Sequence, residues 1–436
     1  MTNDRLGHGR GCRRRIFALL LVLVAATTLG ACRSTTSGTT TAEERAGAAP
    51  KCGAGTGQKA TGEPIRLGAI ATKQPGTDFT DIPNMAKAVF DCVNDNGGIK
   101  GRPIEYIIET EQTDPGQVAA LARKLIETDK VLGIVGNTSI LDCAVNHTYY
   151  EDQGFYTVNS GIAIECYSTS NSAPVNMGPR YSVDGAAQYL IRQGVKKLVL
   201  EQSNVPGLGY VEEGFRLIAQ DAGIPTVMLN DNVPIQDANS IALRLVQAAG
   251  PGGGVVLNFT PPEALKILQA AEQQGLQDRV KWACSTPCNT DFLASALGPQ
   301  WNGKLGVNAE LNLTSATGPD SVQYRAVQRH YAPNIPLGSF SQMGYVEANI
   351  LVTALMSVNG EFTATSVNEA IRNVKDFKTD ILCKPWYYGI APLHIPNNTD
   401  RTVVPLNGKM VEAEGCFPIS DVEPAIKQVR GVEAGG

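Results

Sequence analysis

Short apolar runs and helix-period stretches alternate along this chain in two successive rounds, and few architectures accept that pattern. In the first round, Ile65 to Ala71 reads as a strand, Met85 to Val93 as a helix closed by Asn96-Gly97-Gly98, and Ile104 to Ile108 as the next strand. Asp114-Pro115 marks a helix start, a capping carboxylate followed by a proline in the first turn. Val118, Leu121, Ala122, Leu125 and Ile126 then share one helical face. Leu132 to Val135 and Tyr156 to Val158 read as the third and fourth strands. The second round follows a break near Met177 to Asp184. It sets helices over Ala186 to Ile191, Tyr210 to Ala222, Ile241 to Ala249 and Ala264 to Ala271. Strands over Leu198 to Leu200, Thr226 to Leu229, Val255 to Leu257 and Val280 to Ala283 alternate with them. Two later helices, Ser321 to His330 and Ser339 to Met356, and a hairpin around Asn407-Gly408 follow. Parallel strands joined by covering helices satisfy such alternation. The expected fold class is therefore α/β, with two doubly wound lobes and mainly parallel sheets.

The 436 residues exceed one comfortable core, which also suggests two domains. A net charge of −5 argues against a nucleic-acid partner, because phosphate binding needs clustered Lys and Arg. At the N-terminus, Arg13-Arg14-Arg15 precedes the apolar run Ile16 to Ala26, which is shorter than the roughly 20 residues of a membrane-spanning helix. A basic region, a short apolar run and small residues before a cut site make a secretory signal. Leu29-Gly30-Ala31-Cys32 resembles the lipobox of bacterial lipoproteins. That resemblance implies a signal peptide over residues 1–31 and lipidation of Cys32. It places the chain on the extracellular face of the bacterial cell membrane, held through a lipid anchor. Residues 32–62, rich in Ser, Thr, Ala and Gly without apolar periodicity, read as a flexible tether.

Outside the cytoplasm, an even number of cysteines reads as disulfides. Eight remain after Cys12 and Cys32 are set aside, and spacing cannot choose among their 105 pairings. Proximity along the chain favours Cys52–Cys92, Cys143–Cys166, Cys284–Cys288 and Cys383–Cys416. Cys284-Ser-Thr-Pro-Cys288 has no second Cys or His pair nearby, so no metal site is expected. Gly207-Leu-Gly209 with Gly214 departs from the dinucleotide spacing, and Gly252-Gly253-Gly254 lies between a helix and a strand in the wrong order for a phosphate loop. No cofactor and no catalytic residues are expected.

Binding remains. Ligands of open parallel sheets sit beyond the C-terminal strand ends, against helix N-termini. There the sequence places Gln74 and Phe79 after the first strand, Asn137 and Ser139 after the third, and Ser160, Gly161 and Ala163 after the fourth. In the second round the corresponding loops carry Tyr210, Asn258, Thr260 and Thr286. Hydroxyls, amides and free N–H groups of this kind suit a small polar ligand.

Four segments then carry a resemblance over roughly Ile65 to Phe417. They are Asn94-Asp95-Asn96-Gly97-Gly98-Ile99-Lys100-Gly101-Arg102, Asp114-Pro115, Tyr150-Glu151-Asp152-Gln153-Gly154 and Gly344-Tyr345-Val346-Glu347-Ala348. The chain resembles periplasmic-binding-protein type I receptors, in particular the Leu/Ile/Val-binding branch that feeds ABC importers. The resemblance implies two lobes joined by three crossings, near Met177 to Asp184, Gly306 to Leu311 and Lys384 to Ala391, with a hinged cleft between them. The N-terminal lobe would take residues 63–178 plus 310–385, and the C-terminal lobe 179–309 plus 386–436. It also implies a carboxylate site at Ser139 (Thr138 in reserve) and Gly161, where the place of a threonine falls on or near Ala163. The places of the ammonium-binding residues fall near Thr260 and Thr286, neither of which carries charge. An amide, a small organic acid or an aromatic acid therefore fits better than a standard amino acid, with Phe79 and Tyr210 placed to stack on a ring. The implied function is a monomeric solute-binding receptor that delivers a small molecule to an ABC permease. A sensory lipoprotein and an extracellular hydrolase are the alternatives.

Overall fold

The computed structural model describes residues 49–389 and 393–435. Cys32, the expected signal and most of the expected tether lie outside the described residues.

The first sheet uses β1 (Ile65–Gln74), β2 (Thr77–Asp78), β3 (Ile104–Glu111), β4 (Gly133–Asn137), β5 (Thr157–Asn159) and β6 (Ser172–Pro174). β3, β1, β4, β5 and β6 are parallel neighbours in that order, and β2 folds back on the end of β1. Between them run α1 (Asp81–Asp95), α2 (Pro115–Arg123), α3 (Asp142–Asp152) and α4 (Glu165–Ser168). The Asp114 side chain caps α2 by accepting from the Gln117 N–H at 2.8 Å, and Pro115 occupies the first turn, as the sequence predicts. Every residue of β4 is buried, because helices cover both faces of a parallel sheet.

The second half runs α5 (Gly178–Arg192), β7 (Leu198–Ser203), α6 (Gly209–Asp221), β8 (Thr226–Asp231), α7 (Ala238–Ala249), β9 (Gly254–Asn258), α8 (Pro261–Gln273), β10 (Lys281–Cys284), α9 (Asp291–Ala296) and β11 (Leu305–Asn308). The chain then returns to the first sheet as α10 (Pro319–Tyr331), α11 (Ser339–Ser357) and α12 (Ala364–Arg372), whose apolar residues join one core with α1. It ends as β12 (Thr399–Leu406), β13 (Lys409–Pro418) and α13 (Pro424–Gly435). The second sheet has the order β8-β7-β9-β10-β11-β12-β13. Its β12–β13 hairpin turns at Asn407-Gly408 and is antiparallel, as is the join of β12 to β11. Separate apolar cores lie on its two faces, one under α7 to α9 and one under α5 and α6.

Three expectations need correction. The break placed near Met177 to Asp184 is helix from Gly178 onward. Its first turns bury Arg180, Ser182 and Asp184, and those polar residues hide the apolar period that would have revealed it. The crossing placed at Gly306 to Leu311 begins as β11, a fully buried strand of the second sheet. The described end of the expected tether is docked. Cys52 is bridged to Cys92, and the N–H groups of Thr56, Ala60 and Gly62 donate to Asn96, Asn94 and Gly101. The four disulfides are those expected from proximity along the chain. Gly214 owes its identity to packing, not to a nucleotide: a Cβ there would stand 2.6 Å from Glu423 Oε1 and 2.8 Å from Arg180 Cγ.

Candidate functional site

The C-terminal ends of β1, β4 and β5 face those of β7, β9 and β10 across a cleft of about 780 Å³ of atom-free space, mouth included. The first-sheet side supplies Phe79, Ile82, Thr138, Ile140, Ser160, Gly161 and Ile162, and α11 adds Phe340 and Met343. The Phe79 and Phe340 rings meet edge to face with centroids 5.5 Å apart. The second-sheet side supplies Ser203, Val205, Leu208, Asn258, Phe259, Thr260, Thr286 and Pro287, with Pro179 and Ser182 from the start of α5. The two sides touch at one edge, where the Thr260 hydroxyl donates to Gly76 O at 3.3 Å. The Tyr210 hydroxyl makes a second link by donating to Ile162 O at 2.6 Å.

Disulfides hold two of the wall loops. Cys284–Cys288 brackets Thr286 and Pro287. Cys143–Cys166 ties α3 to α4, immediately after the Gly161 loop. The Asn176 carboxamide clamps that loop by accepting from Gly161 N at 2.8 Å and donating to Gly161 O at 2.9 Å. Gly178 opens α5 with φ +80°, and a Cβ there would lie 2.4 Å from the Tyr167 hydroxyl oxygen. Only glycine meets both demands.

At the cleft floor, polar groups form a chain. The Thr286 hydroxyl accepts from Ser182 Oγ and Asn308 Nδ2, both at 2.9 Å, so its own proton is free to go to the Glu310 carboxyl. The Met177 N–H, at the start of α5, also donates to Glu310. Glu310 is buried and is the one ionisable side chain among the described residues lining this compartment. Burial pushes its carboxyl up to about 8, against the pull of these two donors. Behind Ser160, whose hydroxyl donates to it, burial likewise raises Glu347 to about 8.

Of the residues expected at the site, Phe79, Ser160, Gly161, Asn258, Thr260 and Thr286 line the cleft. Gln74 lines an adjoining space behind Phe340 that also includes Asp78, Asp81 and Thr260. The remaining four lie elsewhere. Asn137 stitches strand to helix, accepting from Ile70 N at 2.8 Å and donating to Asp142 at 2.6 Å. Ser139 turns away to Glu111 at 2.9 Å and accepts from the first N–H groups of α3, so Thr138 takes its place in the wall. Ala163 is buried in the turn before α4. Tyr210 reaches the cleft edge through its hydroxyl without lining it.

Glu310 escaped the sequence reading, although a signal was present. Leu305, Val307, Ala309, Leu311 and Leu313 alternate with Asn308 and Glu310, so the two polar residues share the opposite face of an extended segment. Phe340 and Met343 lie on α11, which is buried on nearly every side and so points no single face at a ligand. Thr260 and Thr286 carry no charge and leave the cleft without a counter-ion of their own. A carboxyl reaches it instead from the crossing after β11.

The raised carboxyls set a pH dependence. Unfolded glutamates lose their protons near pH 4.5, whereas Glu310 and Glu347 keep theirs to about pH 8 in the folded chain. Their contribution is complete below pH 4.5 and is lost as pH rises towards 8. Denaturant unfolding of the Glu347→Gln variant is expected to show a flatter decline between pH 5 and pH 8 than wild type. The relief should approach about 1.4 kcal/mol per pH unit. Parallel declines in the two proteins would contradict the assignment.

Comparison with known proteins gives a consistent pattern. A family profile described as "Periplasmic binding protein" matches residues 64–401. No curated protein is recognisably similar in sequence. Among solved structures, the fatty acid ABC transporter substrate-binding protein from Thermomonospora curvata is 20% identical with a TM-score of 0.70, covering 84% of this chain and 96% of its own. A branched chain amino acid ABC transporter protein from Thermus thermophilus with bound valine is 16% identical with a TM-score of 0.71, covering 85% and 100%. A solute binding protein from R. palustris in complex with 4-hydroxybenzoate is 18% identical with a TM-score of 0.68, covering 84% and 100%. At these identities the likeness is one of fold.

Proposed function

The chain belongs to the periplasmic binding protein family, and from that premise we propose that it is the lipid-anchored solute receptor of an ABC importer. It captures one small amphipathic molecule (an amino acid, an amide or a small organic or aromatic acid) between its two lobes and hands it to a membrane permease. The observation that carries this reading is the cleft itself. It lies at the C-terminal edges of the parallel strands of two mainly parallel sheets, has apolar walls at Phe79, Phe340 and Met343, and has a hydrogen-bonding floor at Ser182, Thr286 and Glu310. The lobes are residues 63–178 plus 310–385 and 179–309 plus 386–436, and closure about the crossings traps the guest. The ligands of the structural relatives, from valine to 4-hydroxybenzoate, support the size class.

Thermal-shift screening of amino acids, amines, amides and organic acids tests the reading. A true ligand at one hundred times its Kd should stabilise the fold by about 2.7 kcal/mol. A complete set of such solutes without effect would count against it.

The anchor makes its own prediction. Residues 1–31 act as signal and Cys32 carries the lipid. The Cys32→Ala variant is expected to lose the membrane fraction almost wholly and to lack the diacylglycerol mass increment on its N-terminal peptide. A variant that stays membrane-bound would end the anchoring proposal.

A further inference from the structure

Resting on the solute-receptor reading, we propose that Glu310 is the specificity residue of the cleft: its carboxylate is the counter-ion for a protonated amine on the captured molecule, whose apolar body lies against Phe79 and Phe340.

No Lys, Arg or His is among the described residues lining the main compartment or the adjoining one. In the adjoining space Glu263 has Lys266 at 2.8 Å and Asp78 has Lys73 at 3.7 Å, while Asp81 makes no salt bridge among the described residues but lies in the field of Lys73. No salt bridge reaches Glu310 among the described residues. The guanidinium of Arg180 is committed to Glu423 and Glu213, and that of Arg401 faces Glu412.

An anionic ligand would find no cationic side chain among the described residues of this cleft. The N-terminus of α5, which could have served, already donates its Met177 N–H to Glu310. An ammonium would gain a charge-assisted hydrogen bond and would supply the charge that the buried carboxyl lacks. Asp400 on β12 repels Glu310, and the Tyr167 hydroxyl group on α4 lies within its field. Asp184 and Arg180 on α5 stand with Glu423 behind, and Arg401 adjoins Asp400. Apart from Arg180, held by Glu423 and Glu213, and Arg401, 3.8 Å from Glu412, these neighbours add negative potential or none.

Capture of an amine would then displace a proton from Glu310. The carboxyl is protonated up to about pH 8 in the free protein, so amine affinity should climb towards tenfold per pH unit from pH 6 to 8. Primary amines stay cationic over that range.

The test is calorimetric titration of the full chain with matched sets. Phenylalanine and 2-phenylethylamine are compared with 3-phenylpropanoate, leucine and 3-methylbutylamine with 4-methylpentanoate, and octylamine with octanoate. The amine-bearing member of at least one set is expected to bind ten times or more tighter than its amine-free partner, with affinity rising between pH 6 and 8. Glu310→Gln should erase that advantage. Its fold is checked by the melting temperature at pH 5, and the wild-type comparison needs no variant. If an amine-free acid binds as well as or better than its amine partners, Glu310 is not a counter-ion, though the receptor reading stands. If no member of any set binds, this proposal falls and the receptor reading loses its supposed ligand range with it.

Discussion

Gly344→Val is expected to yield a chain that expresses largely as insoluble or unfolded protein. Gly344 lies in the middle of α11 where that helix crosses α1. A Cβ at this position would stand 2.0 Å from Ile82 O, 2.9 Å from Ile82 C and 3.2 Å from Ala86 N. The obstacle is backbone, which cannot change rotamer, so the helices must separate. That separation opens the core shared by Met85, Val89, Val346 and Leu351. Overpacking against adaptable side chains costs roughly 1–3 kcal/mol. Against backbone, a cost above about 4 kcal/mol is expected, a large share of a domain's roughly 5–15 kcal/mol stability. Soluble yield and the denaturant midpoint measure it. Gly209→Ala, at a glycine facing open space, is the control and should behave as wild type. A Gly344→Val protein with an unchanged midpoint would mean that α1 and α11 do not approach as described.

Phe340→Ala is expected to weaken capture of the strongest solute from the thermal screen about 30-fold while leaving the melting temperature of the free protein nearly unchanged. The ring is only partly buried and rests edge-on against Phe79, so it forms wall more than core. A guest that covers about 80 Å² of that ring gains about 2 kcal/mol at roughly 25 cal/mol per Å². Phe292→Ala removes an exposed ring from the adjoining space and should change affinity little. Equal losses in both variants would move the binding place to the adjoining space, and no loss in either would remove it from the cleft.

The sequence was most legible where local chemistry and tertiary structure agree. The Asp114-Pro115 start of α2, the apolar face of α1 and the Asn407-Gly408 turn each follow from one rule about caps, periods or turns. Neighbouring cysteines paired because adjacent segments of an alternating α/β chain lie beside one another. The reading failed where polar residues are buried for tertiary reasons. α3 turns Asp142, Asn146 and Tyr150 inward, and these bond to one another instead of presenting an apolar stripe. α5 buries Arg180 against Glu423, a residue 243 positions away. The site was half legible for the same reason. Loops after strands could be found from the alternation, which gave Phe79, Ser160, Thr260 and Thr286. Within a loop, sequence could not say whether Ser139 or Thr138 faces the cleft, because that depends on which hydroxyl caps α3. Glu310, on the crossing, lay outside the loops where a ligand residue was sought.

A crystal structure of the chain with the tightest solute from the screen tests the central claim most directly. The account predicts one guest per chain, its apolar body between Phe79 and Phe340 and its polar end at Thr286 and Glu310, touched by both lobes. A guest bound on the outer surface, or held by one lobe with the cleft filled by protein side chains, would contradict it.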